Sequence, residues 1–108
     1  KPFFDITSPL QNDTFLLADT ILFQATFYEN EGLSHYKIEI KNNFTVIPDT
    51  LPAWNLILVN SLFGKEQTVQ LKIPVQDSIF GGEYFFIVKA LDAEGNEALA
   101  DTTAITIQ

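Results

Sequence analysis

The stretch GEYFFIVKALD, Gly82 to Asp92, decides the fold. In steps of two it sorts cleanly. Tyr84, Phe86, Val88 and Ala90 fall on one side, and Phe85, Ile87, Lys89 and Leu91 on the other. Successive side chains of an extended strand point to opposite faces, so this period marks a β-strand with one face in a core. A helix would need apolar residues spaced by three and four, and no such stripe is long enough. Only Ser78 to Gly81 has the makings of a short helical turn.

The same period runs outward in both directions. TILFQATFY, Thr20 to Tyr28, puts Ile21, Phe23, Ala25 and Phe27 on one face. LSHYKIEIK, Leu33 to Lys41, alternates Tyr36, Ile38 and Ile40 with Lys37, Glu39 and Lys41. TVQLKIPV sends Val69, Leu71 and Ile73 inward, and TAITI closes the chain in the same manner. Turn chemistry separates these runs: YENEGL, PDTLP, FGG and DAEGN. Pro48 and Pro52 bar a central strand from the long connection that holds them. Strands are expected near 3–7, 20–29, 33–42, 54–62, 67–75, 83–92 and 97–107. About seven short antiparallel strands predict an all-β, immunoglobulin-like sandwich forming a single domain over 1–108. A closed barrel fits the same count and ranks second.

Composition sets the limits. Hydrophobic residues make up 46% of the 108, enough for a folded core. The ten Phe suit pleated, half-buried strands. The formal net charge of −8 repels a phosphate backbone and anionic lipid, so no nucleic-acid partner is expected. There is no Cys, hence no disulfide, thiolate metal site or thiol nucleophile. There is no Met even at position 1, which points to a chain that begins inside a longer precursor. No apolar run approaches the ~20 residues of a transmembrane helix.

The segments EGLSHYKIEI, LKIPV and GGEYFFIVKALDAEGNEA, in that order, carry a resemblance. The chain resembles the immunoglobulin-like domain of Bacteroidota putative lipoproteins of uncharacterised function. Its main marks are Gly-Leu-Ser-His at the opening of the third strand and the D-x-x-G-N turn, and the similarity runs from Lys1–Pro2 to the last strand. The resemblance implies export, a lipid-anchored precursor whose anchor lies upstream of this chain, and a cell-surface or periplasmic location. It implies no known reaction. It also implies O-glycan acceptors at Asp-Ser/Thr followed by a small or aliphatic residue, which here are Thr20, Thr50, Ser78 and Thr102. Asp and Ser/Thr also cluster simply because both form turns and caps.

Four features bear on function. DAEGN is not an EF-hand loop, because its Gly comes fourth and no closing Glu follows. In a sandwich, however, the loop before the third strand and the loop after the penultimate one share an end. That would gather Glu29, Glu31, Asp92 and Asn96 as oxygen ligands for Ca²⁺. The simpler reading is a turn in which Asp92 accepts backbone N–H groups. His35, the one His, should be exposed, and strict alternation forbids a pair with Ser34. Tyr84 sits at the tyrosine-corner position, where its hydroxyl should bond backbone. Phe85, Ile87 and Leu91 form an outward apolar row that something should cover: the 43–63 segment, a neighbouring domain or a second copy.

No nucleophile, base and orienting group come together in the sequence, so no catalytic residues are expected and the chain should not be an enzyme. The function expected is a non-catalytic binding or spacer module of an exported surface lipoprotein, without a cofactor. Its partners would be protein or glycan, or a second copy in an oligomer. The alternative is a Ca²⁺-dependent adhesion or carbohydrate-binding module that uses the loop rim.

Overall fold

The computed structural model describes residues 3–29, 33–42, 54–76, 78–79, 81–92 and 100–108. Eight strands follow one another: β1 (Phe3–Ser8), β2 (Asp13–Phe15), β3 (Thr20–Tyr28), β4 (Leu33–Asn42), β5 (Leu56–Ser61), β6 (Glu66–Pro74), β7 (Gly82–Asp92) and β8 (Asp101–Ile107). They form two sheets, one ordered β1-β3-β6 and the other β2-β8-β7-β4-β5. This is an all-β immunoglobulin-like sandwich and not a closed barrel, because the described strands of one sheet do not pair with those of the other. No helix occurs among the described residues, and Ser78 and Ile79 form only a bend.

The inward rows are those the period-two pattern marked. Ile21, Phe23, Ala25 and Phe27 on β3 are fully buried. So are Tyr84, Phe86, Val88 and Ala90 on β7, with Ile38 and Ile40 on β4. Aromatic rings tie the two sheets together. Phe23 meets Phe86 at 5.8 Å and Tyr36 at 5.9 Å, and Phe27 meets Tyr36 at 5.3 Å. Each such pair contributes about 0.5–1.5 kcal/mol beyond its area burial.

Two details differ from the sequence expectation. The described residues hold eight strands, because β2 is a strand of three residues, too short to show a period. It runs parallel to β8, with Asp13 opposite Ile105 and Phe15 opposite Ile107, so one pair in the sandwich is not antiparallel. Backbone bonds on either side hold it there. Asn12 N–H donates to Ala104 O at 2.8 Å, and Gln108 N–H donates to Phe15 O at 2.8 Å. A turn feeds it: Asp13 Oδ2 accepts Leu10 N–H at 2.8 Å, and Asn12 takes a positive φ of 68°, which Asn tolerates.

The second difference is a bulge. Leu33 pairs with Asp92 and His35 with Leu91, so β4 advances two residues while β7 advances one. Ser34 is the extra residue, and an extra residue breaks strict alternation. Ser34 Oγ therefore lies 2.6 Å from His35 Nδ1, and the pair that alternation forbade is made. His35 is exposed, as expected.

Candidate functional site

Tyr84 is the most enclosed polar side chain of the core. Its hydroxyl accepts the backbone N–H of Trp54 at 3.1 Å, and the indole of Trp54 stands edge-on to the phenol at 6.4 Å. The corner tyrosine thus bonds backbone as expected, and the group it holds is the approach to β5. Burial pushes the phenol above its ordinary value of 10.0, with the Trp54 N–H pulling the other way. Tyr84→Phe should cost about 1–3 kcal/mol, because Trp54 N–H is left without a partner. The folded value is raised, so the stability from this group is complete below the unfolded value near 10.0 and is lost as pH rises through the folded one. The gap between the two proteins should therefore narrow above pH 10, as urea titrations at stepped alkaline pH will show. A gap that widens there would contradict the assignment.

The loop rim is visible in part. The start of β4 meets the end of β7 through Leu33 opposite Asp92, so the two loops do leave from one end of the sandwich. Glu29 is buried there, and its N–H donates to Lys65 O at 2.9 Å. Glu31, Asn96 and the side chain of Asp92 lie outside the described residues. Among the described residues no three His, Asp or Glu side chains gather as metal ligands, and no buried side-chain N or O lacks a hydrogen-bond partner.

The outer face of the five-stranded sheet is built in rows. Phe85 lies between Lys41 and Ala104, Ile87 between Glu39 and Thr102, and Leu91 beside His35. All three apolar side chains are half-buried. The described part of the 43–63 segment does not lie over them. It forms β5, which extends the sheet sideways beyond β4. Residues 43–53 lie outside the described residues. Among the described ones, long side chains flank the row, including the Glu39–Lys41 ion pair at 3.3 Å. The row continues onto β5, where Ile57 pairs with Glu39 and Val59 with Lys37.

Sequence reasoning gave no role to a groove on the open side of the sandwich, between β5 and β6. It measures roughly 410 Å³ and is lined by Trp54, Leu56, Leu58, Leu71, Ile73 and Val75, with Lys72, Pro74 and Gln76. The signal was present in LILV, Leu56 to Val59. Four aliphatic residues without alternation mean a strand that is apolar on both faces.

Of the O-glycan candidates, Thr20, Ser78 and Thr102 are exposed, and Thr50 lies outside the described residues. Asp19 Oδ1 accepts the N–H of Thr20 at 2.8 Å, a local turn bond of the kind these dipeptides favour.

A family profile described as "Domain of unknown function (DUF4625)" matches residues 1–108. The chain belongs to the DUF4625 family. No curated protein matches this DUF4625 domain. Solved structures share its fold at low identity. The fibronectin(III)-like modules of Clostridium thermocellum CbhA align at 11% identity and a TM-score of 0.57, over 98% of this chain and 96% of theirs. A β-glucosidase from Listeria innocua aligns at 10% identity and 0.61, over 99% of this chain and 16% of its own. A family 123 glycoside hydrolase from Clostridium perfringens aligns at 10% and 0.59, over 98% of this chain and 26% of its own. At such identities the likeness speaks for the fold alone.

Proposed function

We propose that this DUF4625 domain is a single, non-catalytic binding or spacer module of an exported bacterial surface lipoprotein of the Bacteroidota type. Shape supports the reading: the fold of a fibronectin(III)-like module aligns over 98% of this chain and 96% of its own, whereas the chain matches only 16% and 26% of the two hydrolase chains. Its most enclosed phenol, Tyr84, is used for architecture, and its five-stranded sheet presents a broad outward face. The surface offered for protein or glycan contact is that face, with Phe85, Ile87 and Leu91 at its centre. Anchoring and export rest on the resemblance carried by EGLSHYKIEI and the D-x-x-G-N turn. Fractionation of the full-length protein from its host is the test. It should sediment with membranes, and protease added to intact cells or to spheroplasts should cleave it. Recovery from the cytosol would contradict the reading.

The second reading, a calcium-dependent module, draws on the shared end of the two loops and the buried Glu29 carboxylate there. A melting curve with EDTA and then with excess Ca²⁺ separates the two. The spacer reading predicts the same midpoint in both. A ligand at 100 times its Kd adds about 2.7 kcal/mol, so a bound ion would raise the midpoint by several degrees. Loss of that rise in Asp92→Asn would establish the loop rim as the site.

A further inference from the structure

A two-sheet sandwich exposes four strand edges, and each is a template for pairing unless something blunts it. Three are blunted here. The register of β1 breaks between Ile6 and Ser8, and Pro9 follows. The edge strand β2 has only three residues and carries Asp13. On β6 stand Glu66, Lys72 and Pro74, the last with no N–H to offer.

Among the described residues the fourth edge has none of these devices. β5 reads LILVNS, without charge or proline, and its register with β4 is unbroken from Leu56 to Ser61. Among the described residues no strand pairs with its other side. Outward, Ile57 is 60% exposed and Val59 52%. Inward, Leu56 and Leu58 stand half-buried over the apolar groove.

We infer that β5 pairs edge to edge with β5 of a second copy of this chain, antiparallel about a two-fold axis. The strand is self-complementary in that arrangement. An axis through Leu58 sets Leu58 against Leu58, and Ile57 of each copy against Val59 of the other. Directly opposed residues share a face in an antiparallel pair, and Ile57 and Val59 both face outward. Charge favours the same edge. Two copies of net charge −8 repel, and β5 is where they meet without opposing like charges. Pairing also turns the two open sides toward each other, so that the groove of each copy faces the groove of the other. Two short edges and their groove mouths give an interface at the small end, below about 1,200 Å² in total, which makes the dimer weak and concentration-dependent.

Sedimentation equilibrium of the 108-residue chain, from about 10 μM to about 1 mM, covers the range in which so small an interface associates. The dimer fraction should rise with protein concentration. It should rise again with NaCl, which screens the repulsion between acidic copies. Val59→Lys should return the protein to monomer with an unchanged melting temperature, because that side chain is half in solvent already. Ile57→Lys is the second variant of the same kind. Leu22→Lys, at an exposed aliphatic residue of β3, should leave the dimer intact. A monomer at every concentration overturns the proposal, including one that captures a foreign apolar strand at this edge. So does a dimer that survives both lysines on β5, or one lost equally in Leu22→Lys.

Discussion

Phe23→Ala should lower the stability of the domain by about 3–5 kcal/mol, the range for emptying a buried aromatic site. Phe23 is fully buried, and its ring touches Phe27, Tyr36 and Phe86, so it joins β3 of one sheet to β4 and β7 of the other. A domain of this size has about 5–15 kcal/mol in all, so the loss is a large fraction of the total. Its neighbour Gln24 points to the opposite face, and Gln24→Ala should cost under about 0.5 kcal/mol. Urea unfolding of the two variants measures the contrast. Equal midpoints would mean that the phase of β3 is misassigned by one residue.

Trp54→Ala should come next, at about 3–5 kcal/mol. The indole is 3% exposed, stands edge-on to Tyr84 and forms part of the groove wall. Its backbone N–H keeps its bond to Tyr84 in the variant, so the loss reports packing and not the hydrogen bond. A loss below about 1 kcal/mol in Trp54→Ala would mean that the approach to β5 is not anchored by this indole.

The parts of the fold legible in the sequence are those in which one face of a strand is buried and the other wet. Ile21 to Phe27 and Tyr36 to Ile40 come nearest to that pattern, because burial on one face imposes a period of two, whereas Tyr84 to Ala90 keeps the burial period although Phe85 and Ile87 make its outer face apolar too. Where that condition fails, the sequence is silent or misleads. The three residues of β2 are held by backbone bonds to β8, to which side-chain patterning is indifferent. The bulge at Ser34 adds one residue without changing the hydrophobic pattern that follows, so the Ser34–His35 contact could not be read from alternation. Tyr84 announced a backbone bond by its position, but only the three-dimensional path of the chain brings Trp54 N–H to it. The outward row of Phe85, Ile87 and Leu91 was legible as apolar, whereas its neighbours were not. The β5 edge, unpaired among the described residues, went unnoticed because LILV has no alternation to assign.

The sandwich has a closed core and, among the described residues, an unpaired edge at β5. Amide hydrogen exchange by NMR, at a low and a high protein concentration, tests both halves together. In an antiparallel edge strand every second residue directs its N–H away from the sheet. The amides of β3 and β7 should exchange slowly at both concentrations, since each strand is paired on both sides. Alternate amides of β5, between Leu56 and Ser61, should exchange fast in dilute solution and slow down as concentration rises. Uniform protection along β5 in the dilute protein, unchanged by concentration, would contradict the account.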